Sequence, residues 1–298
     1  MKKNKIVSAI SCIALSLSMV MPLSSCGKEV TAESLIENAY PDNLKSMSAD
    51  VKMDMDVSMD IAGLIGNYDT SSGSAEPVMM PVSINADIKM QQNEDISKTE
   101  SDIDINTMGM KENNKETAYY DYLNKKTYTS SDNGSTWLKA DMDEFENVTL
   151  DDATFNLDKF NNLKLDKDSM SDDVDKYKVT ATISYTDLYD SLSTVLDADD
   201  TGIADTGSGL ADGNSDLVID ATLKFDKKTK YLTDMSFDFN DKAALANELQ
   251  KELNSTVTVD KMKFTYTNIK FNKVKNLKIP DDVLVEDYME HFGRNLDG

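Results

Sequence analysis

From Val51 to Ile61 the chain alternates without a break, and no other feature restricts its fold as tightly. The odd positions are Val51, Met53, Met55, Val57, Met59 and Ile61, whereas the even ones are Lys52, Asp54, Asp56, Ser58 and Asp60. Successive side chains of a strand point to opposite faces, so this pattern predicts a half-buried strand of roughly 35 Å. A second run repeats it, with Val82, Ile84, Ala86, Ile88 and Met90 set against Ser83, Asn85, Asp87 and Lys89. Polar alternates on both strands imply an antiparallel sheet that is wet on one side.

Around these strands the periodicity changes several times. Thr31 is placed to cap a helix over residues 32–40 that shows Leu35, Ile36 and Ala39 on one face, before Pro41 stops it. Further strands are predicted over residues 102–110, 117–122, 127–131 and 137–140, the last two joined through Asp132-Asn133-Gly134 as a hairpin. A helical patch is expected over 153–163, then a strand with Tyr177, Val179, Ala181, Ile183 and Tyr185 inward. A short helix behind Thr186 follows, with Leu188, Leu192 and Val195 in register. Strands over 217–225 and 231–239 turn through Asp226-Lys227-Lys228-Thr229, and Asn240 or Asp241 caps a helix striped by Leu245, Leu249 and Leu253. The final strand, 256–273, changes phase near Asp260 and near Asn268, which points to β-bulges. Two stretches, 63–80 and 196–215, read as loops rich in Gly, Ser, Asp and Thr.

The first 25 residues are of another kind. Lys2, Lys3 and Lys5 precede an apolar run from Ile6 to Met21, and Leu23-Ser24-Ser25-Cys26 follows. That is a signal peptide ending at a lipobox, with small residues before the cut and a thiol to accept a diacylglycerol. The serine-interrupted run is shorter than the ~20 apolar residues of a spanning helix, so residues 1–25 are expected to be removed and Cys26 to carry the lipid. Residues 26–31 then form a tether, 32–285 one folded domain and 286–298 a tail. Because Cys12 lies in the discarded peptide, the mature chain keeps one cysteine and has no internal disulfide. Removing the three signal lysines leaves 28 basic residues against 54 acidic, a formal charge of −26 where the whole chain has −23. Such a surface disfavours nucleic acid as a partner.

Catalytic and metal chemistry finds little support. The single histidine, His291, sits in the tail, and no Ser-His-Asp triad, His-Glu-x-x-His site or glycine-rich phosphate loop is present. The acidic stretch Asp197–Ser208 has the first part of a calcium loop, but position twelve is Ser208 where a bidentate Glu belongs. No catalytic residue, cofactor or metal ligand is assigned. Methionine is the more informative residue type, because a flexible thioether wall suits an apolar ligand of variable shape as well as it fills a core.

Three segments carry a family likeness: Tyr119-Tyr120-Asp121-Tyr122, Asn133-Gly134-Ser135-Thr136-Trp137-Leu138-Lys139, and Lys275-Asn276-Leu277-Lys278-Ile279-Pro280. With the leading helix and the long strand meander, they resemble the lipoprotein-carrier superfamily of LolA, LolB and the LppX group, in its branch of Gram-positive surface lipoproteins. That resemblance implies an unclosed antiparallel half-barrel, β-dominated within the α+β class, with a few helices on the concave face and an apolar ligand cradled by the sheet. The expectation is a non-enzymatic, extracytoplasmic, lipid-anchored protein whose cavity is bounded by Val51, Met53, Met55, Val57, Met59, Ile61, Ile84, Ile88 and Met90. The competing reading is an interaction lipoprotein of the cell envelope with a filled core, a protein partner and no small-molecule ligand.

Overall fold

A computed structural model of the chain describes residues 30–60, 78–132, 134–142, 150, 154–196, 217–253, 255–281 and 283. All elements belong to the unit Thr31–Gly298. The long alternating runs become adjacent 15-residue strands of one sheet, β1 (Ser46–Asp60) and β2 (Met79–Asn93). They are followed by β3 (Ile96–Thr107), β4 (Met110–Asp121), β5 (Lys126–Ser130), β6 (Leu138–Asp141), β7 (Asn161–Leu165), β8 (Lys176–Ser184), β9 (Val218–Asp226), β10 (Leu232–Asp238) and β11 (Val257–Phe271). The order is β6-β5-β4-β3-β2-β1-β11-β10-β9-β8-β7, so neighbouring strands are mostly neighbours in sequence and pair antiparallel. One long-range pairing, β1 with β11, joins the first strand to the last, and β6 and β7 remain as separate edges. The sheet is therefore an unclosed antiparallel half-barrel. Among the described residues three helices accompany it: α1 (Ala32–Glu37) against β7, α2 (Tyr185–Leu196) against β8 and α3 (Lys242–Leu253) against β11.

Local chemistry explains the ends of these elements. Thr31 and Ser34 form a reciprocal capping box on α1, with Ser34 N donating to Thr31 Oγ1 at 3.1 Å and Thr31 N to Ser34 Oγ at 3.0 Å. The helix stops at Asn38, short of Pro41. Asp241 caps α3 by accepting from Ala244 N, and the Asp226 carboxylate closes the β9–β10 turn by accepting from Lys228 N and Thr229 N. Both expected bulges are present in β11. Register shifts at Asp260, and again around Asn268, which takes a left-handed conformation (φ 55°) and donates from its amide to Asp50.

Four local expectations change. Residues 102–110 are not one strand, because Met108 and Gly109 turn β3 into β4 with φ of 54° and 82°. The expected hairpin from β5 to β6 forms, its strands paired antiparallel, but its connection is longer than the Asp-Asn-Gly turn and runs over 131–137. It is organised by Asp132, which accepts from Thr136 N and Ser130 Oγ; Asn133 lies outside the described residues. The patch 153–163 forms only a 3-10 turn, Leu157–Lys159, before β7. Phe155 and Phe160 prevail there, because each ring packs on Phe237 in the sheet, a contact a continuous helix would not give to both. Finally Ser184, not Thr186, caps α2, by accepting from Asp187 N at 3.0 Å.

Candidate functional site: the inner face of β1 and β2

The register places the odd residues of β1 on one face with their partners on β2: Ala49 with Met90, Val51 with Ile88, Met53 with Ala86, Met55 with Ile84, Val57 with Val82 and Met59 with Met80. On the other side the same layer continues through Tyr266, Phe264, Met262 and Val259 of β11 to Met235 and Phe237 of β10 and Leu223 of β9. Eight of the nine expected cavity residues thus form one contiguous face. Ile61 lies outside the described residues.

Burial along this layer is graded. Phe225 and Phe237 are 0% exposed and Met235 1%, whereas Met53, Met55, Met59, Ile84, Ile88 and Met90 are only half-buried. Val51 and Val57 are buried between them. Beyond β2 the face turns polar, with Thr99 and Ser101 beside Ile103 and Ile105 on β3, then Glu112, Asn114 and Glu116 on β4. The deeply packed half is capped by aromatic rings. Phe155 meets Tyr266 edge-on at 5.1 Å, and Tyr40 meets Phe271 at 5.5 Å. The Tyr40 hydroxyl donates to the Phe155 carbonyl at 3.1 Å. Burial pushes the phenols of Tyr40 and Tyr266 well above their ordinary value, since the charged form would lose its water.

Where the packed and half-covered zones meet, a cavity of about 30 Å³ is lined by Tyr40, Met47, Ala49, Met90, Phe155, Met235, Tyr266 and others. It has room for one or two waters, not for an acyl chain. A larger hollow, about 790 Å³, is an open groove beside α3 lined by Leu217, Val218, Asp241, Ala244, Asn247, Glu248, Gln250 and Lys251. Its walls mix apolar with charged and amide side chains and stand open to solvent, which does not suit an apolar guest. Of the expected residues only Met90 lines the enclosed cavity. Met47, Ala49 and Gln92 extend the same face, and the alternation of both strands, followed a few residues further, points to them.

The opposite face is polar and cross-paired: Lys52 with Asp87, Lys115 with Asp102, Lys261 with Asp54 and Lys263 with Asp238, at 2.5–3.1 Å. Exposed pairs of this kind contribute roughly 0–1 kcal/mol each. One apolar island interrupts it. Tyr119, Tyr128, Ile279 and Val283 form a second small core with Ile96 and Trp137, and the Tyr119 and Trp137 rings lie 5.6 Å apart. The segment after β11 reaches this island past β2, where Asn93 Nδ2 donates to the Leu277 carbonyl. The three segments behind the family likeness therefore meet in space, at Tyr119, Trp137 and Ile279.

Among the described residues no group of three or more His, Cys, Asp or Glu is placed to hold a metal ion, and no helix is long and apolar enough to cross a membrane. Cys26, the stretch Asp197–Ser208 and His291 lie outside the described residues.

The model of the family described as "Family of unknown function (DUF6612)" matches residues 28–287. The chain belongs to this family. The matched span takes in every strand of the described residues. No curated protein matches the chain. Among solved structures it is similar to a domain described as an outer membrane lipoprotein-sorting protein from Vibrio parahaemolyticus. Identity is 11%, 84% of this chain and 97% of that chain are covered, and the TM-score is 0.18.

Proposed function

We propose that the protein is a lipid-anchored, extracytoplasmic binding protein without catalytic activity, and that the inner face of β1 and β2 receives an apolar ligand of lipid size. The observation that supports this is the gradient of burial. One continuous apolar layer is fully covered over β9 and β10, whereas over β1, β2 and the middle of β11 its methionines, Ile84, Ile88 and Phe264 are only half-covered, with Val51, Val57 and Ala86 buried among them. A half-covered face of this length is seldom left to water in a soluble domain. The methionines on it, Met53, Met55, Met59 and Met90, can adjust their rotamers to different guests. The anchor is read from Leu23-Ser24-Ser25-Cys26, with the lipid on Cys26.

Binding of N-phenyl-1-naphthylamine, a neutral apolar fluorophore, tests the reading. Wild-type protein should take up the probe. Met55→Asp should abolish uptake with little loss of stability, because the new carboxylate reaches water from a half-covered site. No uptake by the wild type, together with a large loss of thermal stability in Met55→Asp, would show a filled core and favour the interaction-protein reading.

A further inference from the structure

At the end of the half-covered strip lies a polar group that the fold leaves unused. Gln92 continues the inner face of β2 two residues beyond Met90, directly across from Met47 on β1 and Ser97 on β3. It is 6% exposed, and Tyr120, itself buried, stands opposite Ser97 on the next strand. Ser97 is hydrogen-bonded to the Tyr122 side chain. Gln92 Nε2, wholly buried, has no hydrogen-bond partner among the described residues. A buried amide donor left unpaired destabilises a fold by about as much as a lost hydrogen bond, which makes such groups rare and worth explaining. A leucine or methionine here would have continued the run Ile84, Ala86, Ile88, Met90 without that penalty.

We infer that Gln92 marks the head-group end of the binding strip, and that the ligand is a single-chain amphiphile whose neutral head presents an ester or amide carbonyl to Gln92 Nε2. This rests on the binding role proposed above and adds the polarity, direction and class of the ligand. The chain lies over Met90, Ile88, Val51 and Met53, and the carbonyl takes the place at Gln92. Met47 and Met90, which flank the amide and line the small cavity beside it, are the side chains whose rotamers must shift to admit the head. No lysine or arginine stands among these flanking residues to neutralise an ionised head, and a chain of formal charge −26 once its signal lysines are removed opposes an anionic one.

The test uses the full chain, extracted from membranes and delipidated, with N-phenyl-1-naphthylamine as reporter and 1-decanoylglycerol or decane as competitor. Gln92→Met keeps the volume and removes the amide. It should weaken displacement by decanoylglycerol roughly tenfold relative to displacement by decane measured on the same variant, and leave the Tm equal or higher. The Gln92 side-chain N–H₂ resonances of the unaltered chain should move on adding decanoylglycerol and stay in place with decane. A lower Tm in Gln92→Met with decanoylglycerol displacement unchanged would mean that the amide serves the fold, through a water, and would overturn the inference. Stationary N–H₂ resonances would overturn it equally, while the broader binding role would stand as long as the reporter still bound. Absence of reporter uptake by the unaltered chain would instead remove the binding role itself.

Discussion

Met53→Ala and Met235→Ala remove the same atoms from the same inner layer, two strands apart, and should not cost the same. Met235 is 1% exposed beneath the packed end of the layer, where truncation loses the transfer energy and leaves a cavity. That costs about 2–5 kcal/mol. Met53 is half-buried opposite Ala86 and Phe264. Full burial of a methionine is worth about 1.5–3 kcal/mol, so half of it is about 1 kcal/mol, and no closed cavity remains because the site opens to solvent. Urea unfolding with an unchanged m value should show a midpoint shift for Met235→Ala at least twice that of Met53→Ala. Circular dichroism reports the sheet. Fluorescence reports the outer island, because Trp137 is the single tryptophan. Equal losses of several kcal/mol would refute the argument, since they would mean that the face over β1 is as tightly packed as the face over β10.

Other consequences are independent of any ligand. Ile279→Ala should loosen the outer island and shift Trp137 emission to longer wavelength, with the far-ultraviolet circular dichroism retained. Its stability cost should be about 2–4 kcal/mol by urea unfolding. The Asp132 carboxylate is held down to about 2 by Thr136 and Ser130, so its contribution is present above the ordinary value of 3.8 and is lost as pH falls towards 2. Asp132→Asn should therefore flatten the decline in thermal stability over that window, and an unchanged decline would show that the loop does not depend on the charge. The phenols of Tyr40 and Tyr266, raised by burial, stabilise the fold below the ordinary value of 10.0 and withdraw that contribution above it. An ultraviolet difference titration should show them ionising only with unfolding. If Cys26 carries the anchor, Cys26→Ser should release the protein from membranes into the aqueous phase of a detergent partition.

The parts of this fold that were legible in the sequence are those in which one local rule acts alone. Alternation from Val51 onward defined β1 and its face, and the phase changes at Asp260 and Asn268 located both bulges. Where two rules compete, the sequence was ambiguous. Lys111, Glu112, Asn113, Asn114, Lys115 and Glu116 are polar on both faces of β4, so no period marks its start, and Met108 at φ 54° is not a residue that announces a turn. Residues 153–163 have helical spacing, but Phe155 and Phe160 are claimed by Phe237, a contact more than seventy residues away in sequence. The outer island was hidden because residues of the β3–β6 region meet the segment after β11, far away in sequence, on a face that alternation assigns to polar groups. Alternation along β2 puts Gln92 on the apolar side, but its burial and its unpaired amide depend on the neighbours that the register sets beside it, Met47 and Ser97. The candidate site was accordingly visible as a face, whereas its gradient of cover depends on which rings the rest of the chain lays against it.

Native mass spectrometry of the membrane-extracted, gently purified protein tests the central claim most directly, because it reads occupancy without a chosen probe. The binding account expects a population heavier than the lipid-anchored chain by one non-covalent, lipid-sized molecule, lost on collisional activation and diminished in Met55→Asp. A single species at the mass of the anchored chain alone, in protein that also fails to take up a neutral apolar probe, would contradict it.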